Sequence, residues 1–124
     1  MPSLGRSRLK VPREALTLLA ARAFDRLSFT FTEEHLDHLL AVAQCESNSR
    51  QDRMVSGMLL ENALIASRGT FPLCQDTGIA NVFAWKDSAV DTAPGDGEAL
   101  SSGIKETYKN RNLRLSTTVP KSFF

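Results

Sequence analysis

The sequence predicts a mostly helical α+β chain of about four helices and two or three short strands. Three observations predict it. Apolar residues recur at helical spacing in four separate windows, the β-like runs are all short, and polar or Pro/Gly-rich breaks part them. The length of 124 residues allows one domain with a modest core, and 42% hydrophobic against 23% charged residues is ordinary for a globular protein. A formal net charge of +1 leaves no electrostatic footprint for nucleic acid. No apolar run approaches the length of a bilayer span, so no membrane partner is expected.

Residues 1 to about 11 read as a flexible basic lead-in, because Arg6, Arg8, Lys10 and Arg13 stand among the first thirteen residues without an acid. That start lacks the apolar segment of a secretory signal; its only targeting character is a weak, acid-poor, organelle-like one. Pro12 suits the first turn of a helix, whose stripe is Leu16, Leu19, Ala20, Ala23 and Phe24. Leu27, Phe29 and Phe31 then alternate with Ser28, Thr30 and Thr32, which predicts a short extended segment. Thr32 is a good N-cap for a second helix, with Glu33 and Glu34 against the dipole and Phe31 and Leu36 at the staple positions. This helix is expected to bury Leu36, Leu39, Leu40 and Ala43 and to end near Cys45.

The third helix is expected over roughly Ser49 to Arg68, with Gly69 closing it. Met54, Val55, Met58, Leu59, Leu60, Ala63, Leu64 and Ile65 cover most of its circumference, which predicts a helix central to the core. Residues 79–85 read as a strand, Asp87 to Gly97 as a loop, and Glu98 to Lys109 as a fourth helix with Leu100, Ile104 and Tyr108 on its stripe. Asn110-Arg111-Asn112 breaks that helix, and Leu113 to Val119 alternates loosely before Pro120. Two aromatics, Phe123 and Phe124, stand at the end of the sequence, and so few strands cannot close a sheet. The expectation is an incomplete fragment, truncated on its C-terminal side.

The chemistry concentrates in Phe71-Pro72-Leu73-Cys74-Gln75-Asp76-Thr77-Gly78, which sets a thiol, a carboxamide and a carboxylate side by side on a loop. Pro72 restricts the backbone before them and Gly78 permits a turn after them. Each has a plainer reading. Cys74 also suits a buried structural thiol, Gln75 a solvated surface, and Asp76 a turn closed on its own backbone. With only Cys45 and Cys74, the chain has too few cysteines for a disulfide scaffold and no C-x-x-C spacing, so a reducing, cytoplasmic setting is the default. A nucleophilic Cys74 would want a histidine base, and His35 and His38 read as part of a solvated helix face, not as a metal pair. Arg114, inside Leu-Arg-Leu-Ser, is better fixed than a tail arginine, and its guanidinium fork suits a carboxylate.

Pro72-Leu73-Cys74-Gln75-Asp76-Thr77-Gly78 resembles the first signature of the class I, iron–sulfur fumarate hydratases and the related tartrate dehydratase α subunits. Leu59-Leu60-Glu61-Asn62-Ala63-Leu64-Ile65-Ala66 is similar to the helix that precedes it in that family. Tyr108 and Asn112-Leu113-Arg114-Leu115-Ser116, closed by Pro120, resemble the family's Tyr…Asn-Leu-Arg-x-Ser…Pro segment. The likeness covers roughly residues 12 to 124, which would form the N-terminal part of the catalytic domain.

What the resemblance implies is a hydro-lyase that adds water to fumarate, reversibly, to give malate. A 4Fe–4S cluster held by three cysteines would leave one iron open to the substrate's hydroxyl and carboxylate. Cys74 would then be the metal ligand, Gln75 and Asp76 substrate-binding residues with Asp76 also catalytic, and Arg114 the partner of a substrate carboxylate. The family's other two cluster cysteines have no counterpart here, and Cys45 is not counted as a ligand. By the resemblance, activity needs the remainder of the enzyme or a second subunit, and the complete enzyme is expected to be a homodimer. Three alternatives stand beside this: a tartrate dehydratase α subunit, a cysteine-nucleophile enzyme, and a non-catalytic helical interaction domain using Met54, Met58, Phe123 and Phe124.

Overall fold

Capping side chains, those of Thr32 and Ser49, set where two of the helices begin. The computed structural model describes residues 8–76 and 78–117; the expectations placed on Arg6, Thr77, Val119, Pro120, Phe123 and Phe124 lie outside the described residues. In order, the elements are β1 (Leu9–Val11), α1 (Arg13–Phe29), α2 (Glu33–Gln44), α3 (Arg50–Ala66), β2 (Val90–Thr92) and α4 (Asp96–Asn110). This is a mostly helical α+β chain with two short parallel strands. It divides into two units, one within Met1–Phe24 and Asp76–Phe124, the other Asp25–Gln75.

In the first unit, two strand–helix pairs run side by side. β1 leads through Pro12 into α1 and β2 leads into α4; the strands pair in parallel, Leu9 opposite Val90 and Val11 opposite Thr92. The helices meet through small residues. Ala99, Gly103 and Thr107 are the buried positions of α4, spaced four apart, and Ala20 is buried on α1. A Cβ on Gly103 would overlap the carbonyl oxygen of Thr17 and lie 2.9 Å from the Ala21 nitrogen. The Thr107 hydroxyl sits 3.0 Å from the Ala21 carbonyl and 3.1 Å from its own Gly103 carbonyl. The buried stripe is thus one residue earlier than Leu100, Ile104 and Tyr108, which are only half-buried. Close backbone approach favours residues without bulk, so the small ones face in.

Polar ties hold the start of α4. Lys86 Nζ reaches Thr92 Oγ1 at 2.6 Å and Asp96 Oδ2 at 3.1 Å, and the Thr92 hydroxyl donates to the same carboxylate oxygen at 2.8 Å. The Thr92 hydroxyl, then the Lys86 ammonium, hold the Asp96 carboxyl below its usual value. Helix α4 starts two residues before the expected Glu98, behind Gly95 in a left-handed conformation (φ 92°).

The second unit carries α2 and α3. The Thr32 hydroxyl accepts the His35 N–H at 3.3 Å, as its N-cap reading predicts, and Phe31 packs its ring on His35 with centroids 4.6 Å apart. Ser49 caps α3 more tightly, accepting the Asp52 N–H at 3.1 Å while donating to Asp52 Oδ2 at 2.7 Å.

Several expectations are corrected. The segment 27–31 is not extended at its start: α1 continues through Phe29, which is buried, so helical packing outweighs a short alternation. No residue of α2 is fully buried. Helix α3 is not enclosed: Met54, Val55, Met58, Leu59, Leu64 and Ile65 are exposed, and only Ser56, Ala63 and Ala66 are buried. Residues 79–86 form no strand, and Val82, Phe83 and Trp85 are exposed. Among the described residues only β1 and β2 pair, and a strand without a partner edge leaves its backbone groups unsatisfied. Residues 113–117 likewise form none.

Candidate functional site

The loop that carries Cys74 begins where α3 lets go of its last carbonyls. Ser67 N–H bonds the Ala63 carbonyl at 2.9 Å, and Gly69, at φ 77°, turns the chain while its N–H bonds the Ala66 carbonyl at 2.8 Å. A left-handed residue here is what glycine permits without a Cβ penalty. Four residues on, Leu73 is held on both of its backbone groups. Its N–H donates to the Ser28 carbonyl at 2.8 Å, and its carbonyl accepts from Asn62 Nδ2 at 2.9 Å. Cys74 and Gln75 follow immediately, both exposed, and the Cys74 thiol is free of any disulfide.

Asp76 begins the part of the loop that belongs to the first unit. Its Oδ1 accepts the Gly78 N–H at 3.4 Å, a long bond of the self-turn type, and Gly78 takes φ 60°. Tyr108 reaches the same glycine: its hydroxyl donates to the Gly78 carbonyl at 3.2 Å. The ring of Tyr108 stacks on Phe24, centroids 5.1 Å apart and planes 27° from parallel. An aromatic stack therefore carries the phenol that pins the loop's last residue.

Arg114 is placed by the end of α4. Asn112 adopts φ 51°, and the Leu113 N–H returns to the Tyr108 carbonyl at 3.1 Å. This is the six-to-one closure of a Schellman motif, with asparagine at the left-handed position and a buried apolar residue, Leu113, behind it. Arg114 is the exposed residue that follows this fixed point. Asn112 and Leu113 thus each have a local structural reason.

Cys45 is also exposed. It caps α2, and its Sγ lies 3.1 Å from Ser47 Oγ. The Ser47 hydroxyl, followed by that residue's backbone N–H, lowers the Cys45 pKa below the ordinary thiol value. Among the described residues, no three His, Cys, Asp or Glu side chains gather where they could hold a metal ion. No helix among the described residues is long and apolar enough to cross a membrane.

Residues 17–122 match the family model described as Fumarate hydratase (Fumerase). The chain belongs to the fumarate hydratase family. Its relatives include "Fumarate hydratase class I, anaerobic" of Escherichia coli K12, 42% identical over 90% of this chain and 20% of that one. "Fumarate hydratase 2" of Leishmania major is 40% identical over 97% of this chain and 21% of its own. "Fumarate hydratase 1, mitochondrial" of the same organism is 37% identical over 94% and 21%. The chain spans about a fifth of the length of the fumarate hydratases it matches.

One residue of this segment has no role from sequence alone, Asn62. The signal was there: it is a carboxamide in the middle of Leu-Leu-Glu-Asn-Ala-Leu-Ile-Ala, a mostly apolar helical stretch. Tyr108 is similar: its stripe position marks packing, whereas its hydroxyl reaches the Gly78 carbonyl.

Proposed function

We propose that residues 12–124 are the N-terminal part of the catalytic domain of an iron–sulfur hydro-lyase that hydrates fumarate to malate and runs the reverse reaction. The single observation that carries this reading is an exposed thiol, Cys74, beside a carboxamide and a carboxylate on a loop whose preceding residue is held at both backbone groups. The family match supplies its context, and all the relatives it names are fumarate hydratases, which favours fumarate over tartrate.

When bound, a 4Fe–4S cluster supplies a Lewis-acidic iron that polarises a substrate hydroxyl and carboxylate. Cys74 would hold that group through one thiolate, its thiol proton passing to solvent on binding. The carboxamide of Gln75 offers both a donor and an acceptor, so it can orient a hydroxyl without changing charge. Asp76 accepts a hydrogen bond from that hydroxyl; as water adds it would take the water's second proton, and in the reverse direction it would return that proton to the departing hydroxyl. The guanidinium of Arg114 forks onto a substrate carboxylate, which fixes a planar diacid in register. The remaining cluster ligands come from the rest of the enzyme or a second subunit, the complete enzyme works as a homodimer, and a reducing, cytoplasmic setting keeps Cys74 as a thiol.

The test uses the complete enzyme containing this segment, purified anaerobically. Cys74→Ser is expected to lose cluster absorbance and turnover together. Arg114→Ala is expected to raise KM roughly 10- to 100-fold, the loss of about 1.5–3 kcal/mol of charge-assisted hydrogen bonding, with cluster absorbance unchanged. A Cys74→Ser enzyme with a normal cluster and normal turnover would refute the assignment.

A further inference from the structure

Leu73 lies directly before the proposed cluster ligand, and neither of its backbone groups is left to solvent alone. The N–H is taken by the Ser28 carbonyl at the end of α1, at 2.8 Å, and the carbonyl by Asn62 Nδ2 on α3, at 2.9 Å. The Leu73 carbonyl belongs to the same peptide plane as the Cys74 nitrogen. That plane fixes the Cys74 N–Cα bond from which the side chain departs, so whatever holds the carbonyl limits where the thiol can point. Asn62 is well suited to this. Its backbone is committed to the helix, its side chain is half-buried, and only the nitrogen of a carboxamide can face a carbonyl oxygen favourably. By contrast, nothing in the loop's own sequence fixes that plane: Pro72 lacks an N–H, and Gly69 lies four residues back.

We propose that Asn62 is a positioning residue: its carboxamide sets the Leu73–Cys74 peptide plane and so aims the Cys74 thiolate at an iron–sulfur cluster. This rests on the reading of Cys74 as a cluster ligand given above. Asn62 itself touches neither metal nor substrate. Its neighbours Ala63 and Ala66 are buried, so the same turn of α3 that packs the unit also presents the amide to the loop.

The experiment compares Asn62→Asp, Asn62→Leu and Cys74→Ser with the parent in the complete enzyme, purified anaerobically. Asn62→Asp keeps the shape and replaces the donor by an acceptor facing an acceptor; Asn62→Leu removes the donor without the repulsion. Opening the loop would break one hydrogen bond fewer in both, so exchange at the Leu73 amide, itself bonded to the Ser28 carbonyl, is expected to quicken about three- to tenfold. Release of cluster iron to a chelator is expected to quicken by a similar factor, with the helical circular dichroism retained and alkylation of Cys45 unchanged. Cys45, on the same unit but 29 residues from Cys74, reports general loosening, which would move it as well. Unchanged exchange at Leu73 would overturn the proposal, and so would faster exchange with iron release at the parent rate. Full iron content in Cys74→Ser would instead overturn the ligand assignment beneath it, whatever the Asn62 variants do.

Discussion

Replacing Gly103 by alanine tests the contact between α1 and α4. The added methyl would overlap the Thr17 carbonyl oxygen and stand 2.9 Å from the Ala21 nitrogen and 3.0 Å from the Ala20 Cβ. Two of those three neighbours are helix backbone, so no side-chain rotation relieves the clash and the helices must part. Overpacking of this kind costs about 1–3 kcal/mol. Parting the helices also stretches the Thr107 hydroxyl away from the Ala21 carbonyl, now 3.0 Å, at a further cost of about 1 kcal/mol. Alanine's better helix propensity returns only about 0.5–1 kcal/mol. The net expectation is a loss of about 2–3 kcal/mol, or roughly 8–12 °C in Tm for a chain of this size. Thermal unfolding followed by circular dichroism measures it. Gly57→Ala is the matched control, also mid-helix but with no atom within 4 Å of the new methyl, and it is expected to be neutral or stabilising by up to about 1 kcal/mol. A Gly103→Ala chain as stable as Gly57→Ala would refute the close approach.

Two further expectations concern the second unit. Ser49→Ala removes the side chain that caps α3 and should cost about 1 kcal/mol in denaturant unfolding; Thr32→Ala should cost less, because its bond to the His35 N–H is longer, 3.3 Å against 3.1 Å. Ser47→Ala removes the hydroxyl that favours the Cys45 thiolate, so the Cys45 pKa rises. In a Cys74→Ser background, the pH at which Cys45 alkylation reaches half its limiting rate should therefore move upward, and a curve that stays put or moves down contradicts the assigned cause.

The start of α2 was legible because its cap is local chemistry, whereas α4 begins behind Gly95 without a side-chain cap, two residues before the place the sequence suggests. Thr32 and Ser49 each precede an acidic first turn, and each accepts the N–H three residues on. The burial of α3 was not readable, since periodicity reports which residues are apolar and not what covers them: Met58 and Leu64 stay about 60% exposed. Nor were the strands. Three residues such as Leu9–Val11 carry no pattern, while 79–85 carry one and find no partner edge among the described residues. Within the loop, the sequence marked the reactive residues by type. It was silent on the ties from Ser28, Asn62 and Tyr108, because each joins residues far apart along the chain.

The small-residue seam of α1 and α4 also works as a ruler. Gly103 lies against Thr17 and Thr107 against Ala21, so both helices advance four residues between contacts and run in the same direction there. Sliding α4 by one turn would carry Ala99 or Thr107 to the place opposite Thr17 where even a methyl group does not fit. Sliding it by less would take the Thr107 hydroxyl off the Ala21 carbonyl. One absent side chain and one hydroxyl therefore leave a single permitted alignment, and with it a single height for the Tyr108 phenol that holds Gly78. An insertion or deletion between Gly103 and Thr107 would be felt at the far end of the loop, though it changes no residue there.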